Sequence, residues 1–285
     1  MIETLGWATA RAARGTDEDE PLALAALRRT GVAVEVVDWD DADVAWSGFD
    51  RVVLRSTWDY AERLPEFVTW LEQVDAVTEL VNPLATVRWS LDKRYLAELA
   101  GASVPITPTV FVPPGGATVF PDGEFVVKPA VGAGSRGAAS YAADQHDAAI
   151  RHVAELHETG QVVLVQPYLR SVATDGEWAL VFLDGRLSHA ASKRVALPRA
   201  GQVEGLFAAE TLAEHVATPD QVEVATAAVA CVAGRFGTPA YARVDVVRDD
   251  DGRCCVLEVE LVEPSLFLTC APPDAADRLA RALTR

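Results

Sequence analysis

Lysine is scarce in this sequence, and positive charge is scarce in general. Only three of the 25 basic residues are lysine, and the formal net charge is −17. A chain this acidic is poorly suited to bind nucleic acid or an anionic membrane surface. A local cationic pocket for a small anion is still compatible with that charge. We therefore expect neither nucleic acid nor a membrane as the main partner.

Long apolar segments and paired cysteines are also missing. The sequence has no apolar run of about 18 residues and no basic-then-apolar N-terminus of the kind that directs secretion. The four cysteines, Cys231, Cys254, Cys255 and Cys270, form no C-x-x-C pair and have no histidine at zinc-binding spacing. These absences predict a soluble cytoplasmic protein with buried free thiols.

The three lysines stand far apart, at Lys93, Lys128 and Lys193. Lysine offers a compact, rotatable point charge that suits a phosphate, whereas arginine offers a planar fork. A chain that uses arginine almost everywhere else has kept lysine at these three places. The pattern indicates phosphate contacts, although compositional chance would also produce three such positions.

A glycine-rich loop follows the second of these lysines. The apolar run 125–127 predicts an interior strand that ends at Lys128. Glycines let a backbone approach a polyanion closely and free its N–H groups to point at it. We interpret the loop as a cover for nucleotide phosphates, the alternative being an ordinary connection between strand and loop. Its small residues are Gly132, Gly134, Ser135 and Gly137.

Residues 1–83 have the alternating pattern of an α/β domain. Such alternation predicts a mostly parallel sheet, with ligands bound at the carboxyl ends of its strands. Arg55 directly follows a predicted strand, so it is well placed to hold a substrate carboxylate; the alternative is an ion pair with Asp59 or Glu62. Helices are predicted at 22–29 and 64–74, and strands at 32–37 and 50–54.

Two further units follow in the 285 residues. Residues 84–169 predict a small α+β lobe, and residues 170–285 predict a second lobe with a hairpin and a long helix. The helix at 219–236 is rich in alanine and valine, which suits a core helix more often than a homodimer interface. The remaining predicted helices lie at 92–100 and 146–159. Strands are predicted within 111–127, with turns at 113–116 and 121–123, and at 161–165, 179–183, 186–191, 240–247 and 254–260.

The last two predicted strands carry a group of charged residues. Side chains two apart on a strand share a face, so Arg243 shares a face with Asp245, and Glu258 with Glu260. The neighbouring residues are apolar, and a buried face with three acids needs a cation to offset them. Three converging carboxylates suit Mg²⁺ that bridges phosphates. The alternative is the ordinary solvated face of a hairpin.

Taken in order, these pieces resemble the ATP-grasp superfamily. The motifs are Lys93, FVVKPAVGAGSRG at 125–137, QPYL at 166–169, Lys193, ARVD at 242–245 and LEVELVEPS at 257–265. The resemblance implies an N-terminal α/β substrate domain (1–83), a small central lobe with the glycine-rich lid (84–169) and a C-terminal catalytic lobe (170–285).

The resemblance also implies where ATP would bind. Lys93 and Lys128 would hold the α- and β-phosphates, and the loop 132–137 would close over the β- and γ-phosphates. Gln166 and the backbone around Tyr168 and Leu169 would receive the adenine.

Ribose, metal and catalytic roles follow from the same resemblance. Asp175 or Glu177 would hold the ribose, and Lys193 and Arg243 would act near the γ-phosphate and an acyl phosphate. Many members of the superfamily have asparagine where this chain has glutamate at 260, which makes the metal site more negative. The implied Mg²⁺ ligands are Asp245, Glu258 and Glu260.

The expected activity is an ATP- and Mg²⁺-dependent ligase that activates a carboxylate as an acyl phosphate and captures it with an amine. Three cations and Mg²⁺ suit phosphoryl transfer, which depends on positioning and charge neutralisation. Closure of the glycine loop would keep water from the acyl phosphate.

A narrower resemblance concerns the substrate. LRSTWDY at 54–60, NP at 82–83, DKRYL at 92–96 and LVEPSLF at 261–267 are similar to a group of cyclo-ligases that form cycloserine from O-ureido-D-serine. That group closes a small ring through an intramolecular C–N bond. The residues expected to contact such an amino-acid-like substrate are Arg55, Trp58, Tyr60 and Ser265.

Other activities remain open at this point. An intermolecular carboxylate–amine ligase, related to glutathione synthetase or to dipeptide ligases, would need a second amine substrate for ATP turnover. A small-molecule kinase would release a stable phosphorylated product. A non-catalytic nucleotide-binding module would bind ATP without turnover.

Overall fold

A computed structural model describes residues 2–203, 205 and 209–285. Its N-terminal part contains a parallel sheet with the strand order β2-β1-β3-β4, as the alternating pattern predicts. The strands are β1 (Thr4–Thr9), β2 (Ala33–Asp38), β3 (Arg51–Leu54) and β4 (Glu79–Val81), and the helices are α1 (Glu20–Thr30) and α2 (Leu64–Asp75).

This first sheet is covered on both faces, because side chains on a strand alternate between its two sides. Val53 lies in one cluster with residues of α1 and of the C-terminal helix α8 (Ala275–Thr284). Leu54, its neighbour, lies in a second cluster with Phe67 of α2. The apolar runs of the strands therefore make the inner layer of a three-layer unit.

Two short helices link this unit to the rest of the chain, α3 (Leu84–Ser90) and α4 (Tyr95–Gly101). The sequence assigned them to the central lobe, and they pack instead against the C-terminal sheet. Leu96 and Leu99 belong to the apolar core of that sheet. The Ser90 hydroxyl lies 3.2 Å from the carbonyl oxygen of Val259, and the Tyr95 hydroxyl accepts a hydrogen bond of 2.8 Å from the Val259 amide.

The central sheet is antiparallel and has the order β5-β8-β6-β7. One helix packs on it and buries Ala149 and Val153 against Phe125. The strands are β5 (Val110–Val112), β6 (Phe125–Pro129), β7 (Ala139–Tyr141) and β8 (Val163–Pro167), and the helix is α5 (His146–Glu158). The glycine-rich loop connects β6 to β7.

The C-terminal sheet has five antiparallel strands in the order β11-β10-β9-β12-β13. The short helix α6 (Arg170–Thr174) precedes it, and α7 (Pro219–Phe236) packs on one of its faces. The strands are β9 (Glu177–Leu183), β10 (Arg186–Ala196), β11 (Ala209–His215), β12 (Tyr241–Arg248) and β13 (Cys254–Glu260).

Helix α7 is a core helix. Ala225, Val229 and Val232 are buried against Val244 and Val246 of β12. Its start is stabilised by a capping box in which Thr218 and Gln221 satisfy each other's backbone amides. Since alternate residues of β12 face α7, Arg243 and Asp245 face the opposite side of the sheet.

Most predicted elements are confirmed within two residues at each end. The sequence analysis missed the first strand, because Gly6 interrupts its apolar run, and it missed the short elements α3, α6, β4 and β7. It also missed the longer β11 and α8. The four cysteines carry free thiols; Cys254 and Cys255 are buried, as predicted, whereas Cys231 and Cys270 are half-buried. In the described residues, no helix has the length and apolarity needed to cross a bilayer.

Asn82 connects the N-terminal sheet to the C-terminal sheet. Its side-chain amide donates to the carbonyl oxygens of Tyr241 and Leu261, each at 2.9 Å, and its oxygen accepts from the Ala240 amide at 2.8 Å. Asn82 is fully buried. Three backbone groups at the junction therefore depend on one side chain, because no water reaches them.

We expect Asn82→Ala to destabilise the protein by about 2–4 kcal/mol, since it leaves three buried backbone groups without a partner. The measurement is the shift of the urea unfolding midpoint relative to the unchanged protein. Thr69→Ala serves as the control, because the Thr69 hydroxyl makes a single exposed hydrogen bond. Equal midpoints for the two variants would contradict this account of the junction.

Candidate active site

The charged residues of β12 and β13 meet on one face of the C-terminal sheet. In the register of the two strands, Arg243 lies opposite Glu260 and Asp245 lies opposite Glu258. The predicted alignment of the two faces is therefore confirmed. Lys193 of β10 lies opposite Glu177 of β9. The antiparallel pairing thus brings charges from four strands to one side of the sheet.

Asp245 is held between two cations at the centre of this face. Lys193 Nζ lies 2.9 Å from the Asp245 carboxylate and 3.0 Å from that of Glu177. Arg243 contacts both carboxylate oxygens of Asp245, at 2.8 and 3.1 Å. Burial alone would raise the pKa of Asp245, but Arg243 and Lys193 hold it below its ordinary value.

Lys128 joins the central lobe to the same face. Its Nζ lies 2.6 Å from the Glu258 carboxylate, with both side chains largely buried. Burial favours the neutral form of Glu258, but Lys128 and then Lys93 outweigh it and lower the pKa of that carboxyl. The lysine at the end of β6 therefore carries a charge that reaches across the cleft between two sheets.

The expected three-carboxylate metal site is not assembled in the structure. Asp245, Glu258 and Glu260 line one cavity, but each bonds a cation of the chain, and Glu260 pairs with Arg243. Within the described ranges, no three His, Cys, Asp or Glu side chains are grouped to hold a metal ion. The three buried acids are offset by lysine and arginine side chains.

The cavity between the central and C-terminal sheets has an open volume of about 130 Å³. Ligand pockets are usually about 300–1,000 Å³, so a nucleotide requires the walls to move apart. The buried Gln166 side chain donates to Thr109 at 2.9 Å, so its amide is already oriented by the protein. The predicted residues on its wall are Lys128, Gly134, Ser135, Gln166, Tyr168, Leu169, Glu177, Lys193, Arg243, Asp245, Glu258, Glu260 and Ser265.

A smaller cavity adjoins the first and contains other predicted residues. It is lined by Lys93, Gly132, Trp58 and Tyr60, and it shares Ser265 with the first cavity. The Lys93 ammonium and the Tyr60 hydroxyl both donate to the carbonyl oxygen of Gly132, at 3.1 and 3.3 Å. These two side chains hold the start of the glycine-rich loop.

The glycine-rich loop is also tied to the N-terminal domain. Arg136 pairs with Glu62 at 2.6 Å. Gly134 and Gly137 have φ angles of 60° and 73°, which a residue with a side chain adopts only with strain. The two glycines thus let the chain turn between the cleft and the surface.

Three predicted site residues do not reach the cleft. Arg55 is 1 % exposed and pairs with Asp19 at 3.5 Å, so the expected open carboxylate-binding position is wrong. Asp175 is exposed at the end of α6 and does not line the cavities around the charged face, which leaves Glu177 of the two ribose candidates. Gly137 lines a surface cavity of about 990 Å³ on the α5 side of the loop.

Glu263 is a site residue that the sequence analysis quoted within a motif but did not single out. It is buried, it lines the smaller cavity, and burial followed by the charge of Glu260 raises its pKa to about 8. Trp58 Nε1 donates to the Glu263 carbonyl oxygen at 3.3 Å. The position of Glu263 between the apolar residues Val262 and Pro264 could have indicated a buried acid.

Comparison with known proteins identifies relatives with this architecture. Residues 5–82 match the family model described as the N-terminal domain of D-cycloserine synthetase DcsG. The chain is 43 % identical over 280 residues to the cycloserine biosynthesis protein DcsG of Streptomyces lavendulae, covering 94 % of this chain and 93 % of the relative.

Solved structures agree with that match. A crystal structure of D-cycloserine synthetase DcsG superposes with a TM-score of 0.90 at 41 % identity, covering 98 % of both chains. D-alanine–D-alanine ligase from Bacillus anthracis superposes with a TM-score of 0.68 at 15 % identity, covering 99 % of this chain and 96 % of the ligase, which shows a shared fold. The chain belongs to the D-cycloserine synthetase family and is an ATP-grasp ligase, an enzyme that uses ATP to form a bond between carbon and nitrogen.

Proposed function

We propose that this enzyme closes the ring of cycloserine from O-ureido-D-serine, with Mg²⁺ and ATP. The observation that carries the proposal is the junction of two cavities at Ser265. One cavity is lined by Lys128, Lys193 and Arg243, which suit a polyphosphate. The other, of about 50 Å³, lies against the N-terminal domain and would have to widen to take an amino-acid-sized substrate. The family relationship supports the choice of substrate.

The nucleotide would lie between the central and C-terminal sheets. Lys128 ends β6 and faces the cleft, so it can exchange Glu258 for a phosphate oxygen. Gln166 lies near the end of β8, and the backbone at Tyr168 and Leu169 follows that strand. Both would offer donors and acceptors to an adenine ring. Glu177 is the carboxylate available for the ribose. Lys93 lies in the adjoining cavity and would reach the phosphates after its hydrogen bond to the Gly132 carbonyl oxygen breaks.

Glu258, Glu260 and Asp245 have the oxygen donors that Mg²⁺ prefers. Mg²⁺ usually takes one or two carboxylates and fills its other positions with water and phosphate oxygens. Two of the three acids on this wall are therefore enough to bind Mg²⁺, and the protein need not supply all of its ligands. Bound there, the ion would neutralise charge on the phosphates during transfer. Glu258 is the first candidate for a Mg²⁺ ligand. Its partner Lys128 can bind a nucleotide phosphate instead, which would free the Glu258 carboxylate for the metal ion.

The reaction has three bond exchanges. A substrate carboxylate oxygen attacks the γ-phosphorus of ATP, and the bond from that phosphorus to the ADP oxygen breaks. The ureido nitrogen that is bonded to oxygen then attacks the activated carbonyl carbon and loses its proton. Phosphate leaves with the electron pair of the C–O bond. The five-membered ring is then closed. Water adds to the carbamoyl carbon, the bond from that carbon to the ring nitrogen breaks, carbamic acid leaves, and the ring nitrogen takes the proton and becomes the N–H of cycloserine.

In these steps, side chains of the enzyme would neutralise charge on the phosphoryl group and hold the reactants in position. Arg243 and Lys193 are fixed by Asp245, so they would meet the transferred phosphoryl group without reorganising. The loop that begins at Gly132, held by Tyr60 and Lys93, would keep water from the acyl phosphate. A nucleophile within the same substrate needs no second amine site.

A ligase that joins two molecules is the second candidate. The shared fold with D-alanine–D-alanine ligase favours it as the alternative. In that case ATP turnover would require an added amine. A kinase would instead leave a stable phosphorylated product.

The first test measures ADP and phosphate release with O-ureido-D-serine as the sole substrate besides ATP and Mg²⁺. We expect release without an added amine, together with a cyclic product by mass spectrometry. Release only after addition of a second amino acid would assign the enzyme to the intermolecular ligases. A phosphorylated, uncyclised product would assign it to the kinases.

Lys128→Ala is expected to raise the Kd for ATP about 10- to 100-fold, because a charge-assisted contact to phosphate is lost. Binding is measured by calorimetry with a non-hydrolysable ATP analogue. Arg29→Ala is the matched control, since it removes one positive charge from an exposed ion pair with Asp277. Equal affinities for the two variants would remove Lys128 from the nucleotide site.

Glu258→Gln is expected to lower kcat by at least about 100-fold and to raise the Mg²⁺ concentration needed for half-maximal rate, because a carboxylate ligand becomes an amide. The measurement is the phosphate-release rate across a Mg²⁺ titration. Glu35→Gln, an exposed acid on β2, is the control for the change in charge. Unchanged Mg²⁺ dependence in Glu258→Gln would sink the metal assignment.

A further inference from the structure

Arg243 is held from two directions, and only one of them is a carboxylate. Its Nε and Nη2 atoms donate to the two carboxylate oxygens of Asp245. Its Nη1 donates to the Ser265 carbonyl oxygen at 3.0 Å, and its guanidinium carbon lies 5.2 Å from the centroid of the Phe267 ring. The segment 265–267 therefore sets the position of the part of the guanidinium that does not contact Asp245.

The described segment 265–267 belongs to no helix or strand, so no ladder of backbone hydrogen bonds fixes it. Phe267 has a φ angle of 51°, in the left-handed region that residues with a side chain rarely adopt. Side chains from elsewhere must therefore hold the segment. One of them is His189 of β10, whose Nε2 lies 2.7 Å from the Leu266 carbonyl oxygen. Leu266 stands between the two residues that contact Arg243.

Strand β10 has a bulge next to this contact. The pairing of β10 with β9 shifts in register between Leu187 and His189, so Ser188 is the extra residue. Neighbouring side chains on a regular strand point to opposite faces of the sheet. At the bulge, the Ser188 hydroxyl instead lies 2.9 Å from Nδ1 of His189. The imidazole ring is thus held at both of its nitrogens.

The environment of His189 favours its neutral form. The ring is buried. Burial lowers the pKa of His189, the hydrogen bond to Leu266 and the charge of Asp19 oppose this, and the charge of Arg278 adds to it. A neutral imidazole carries a proton on one nitrogen only. Because a carbonyl oxygen can only accept, that proton lies on Nε2 and is donated to Leu266.

The hydrogen bonds around the ring therefore have one direction. Arg278 of α8 donates to the Ser188 hydroxyl from Nε and Nη2, at 3.1 and 3.0 Å. The hydroxyl gives its own proton to Nδ1 of His189, and Nε2 gives its proton to the Leu266 carbonyl oxygen. Every group in this chain is satisfied, so the ring has one preferred orientation.

His189 does not reach the reactants itself. It is among the described lining residues of neither cavity of the candidate site. What it contacts is the segment that positions Arg243. A side chain that stabilises a transferred phosphoryl group must be in place before the reaction, and a misplacement of about 1 Å can cost about 100-fold in rate.

We propose that His189 is a positioning residue for Arg243. It holds the Leu266 carbonyl oxygen, and thereby keeps the Ser265 carbonyl and the Phe267 ring against the guanidinium. The inference rests on the proposed function, in which Arg243 meets the transferred phosphoryl group. Loss of the His189 contact should therefore affect phosphoryl transfer and spare nucleotide binding, since Lys128 and Gln166 lie on the central sheet.

The test replaces His189 in the full chain by leucine, which removes the donor, and by glutamine, whose amide nitrogen can take the place of Nε2. Calorimetry with Mg²⁺ measures the affinity for ADP alone and for ADP with fluoroaluminate, a mimic of the transferred phosphoryl group. We expect His189→Leu to lose about 10- to 100-fold of the gain that fluoroaluminate gives, and to keep its affinity for ADP. His189→Gln should restore most of the gain.

His157→Leu is the matched control, because His157 Nε2 lies 3.0 Å from the Val112 carbonyl oxygen in the central lobe. The same kind of contact is lost there, away from Arg243, so the gain should be retained. Ser188→Ala, at a half-buried position, removes the hydroxyl that orients the ring and should lower the gain in the same direction as His189→Leu.

A double variant tests whether His189 acts through Arg243. Arg243→Lys keeps a positive charge beside Asp245 and loses the guanidinium nitrogen that Ser265 holds. Adding His189→Leu to this variant should cause no further loss, because the two residues act in one chain of contacts. A further loss as large as that in the unchanged background would contradict the proposed route.

The remaining outcomes separate the two proposals. An unchanged gain in His189→Leu, an equal loss in His157→Leu, or a loss that His189→Gln does not restore would each overturn the positioning role. Absence of any gain in the unchanged protein would overturn it together with the role of Arg243. Cyclic product from ATP and O-ureido-D-serine is measured in parallel. A gain that depends on His189, without cyclic product, would support the positioning role and overturn ring closure.

Discussion

The burial of charge on one face of the C-terminal sheet is the constraint on which the site depends. Asp245 is 1 % exposed and Arg243 is 6 % exposed, and the opposite face of the same strand packs on the apolar helix α7. A charge at such a depth is costly unless it is paired. Two cations, Lys193 and Arg243, pair with Asp245, and Lys128 pairs with Glu258. The arrangement therefore keeps cations and carboxylates at fixed positions before any ligand arrives.

Fixed charges of this kind serve phosphoryl transfer because they need no reorganisation when the phosphates bind. The pairs differ in how readily they exchange partners. Asp245 is held by two cations within the C-terminal lobe, whereas the Lys128–Glu258 pair spans two sheets. In the proposed binding mode, a nucleotide that enters between those sheets would separate the second pair and leave the first in place. A phosphate would then take the position of Glu258 at Lys128.

The charged face of β12 and β13 was predictable from the sequence, whereas the position of Arg55 in the N-terminal domain was not. Alternation along a strand is local, so the spacing of Arg243, Asp245, Glu258 and Glu260 was sufficient to place them on one side of a hairpin. The burial and pairing of Arg55 depend on Asp19 and on an aromatic ring, both distant in sequence. No local sequence pattern predicts those contacts. The roles of α3 and α4 were missed for the same reason, since short helices take their position from the sheet they pack on.

Asp19, in the loop before α1, connects the N-terminal domain to the segment that follows the C-terminal sheet. Asp19 holds the amides of Leu266 and Leu268, and His189 lies 2.7 Å from the carbonyl oxygen of Leu266. These contacts stabilise Phe267 at φ 51°, a conformation that costs a residue with a side chain about 1–3 kcal/mol. The same segment presents the Ser265 carbonyl to Arg243. A residue of the first domain thus fixes the segment whose Ser265 carbonyl holds an arginine of the last domain.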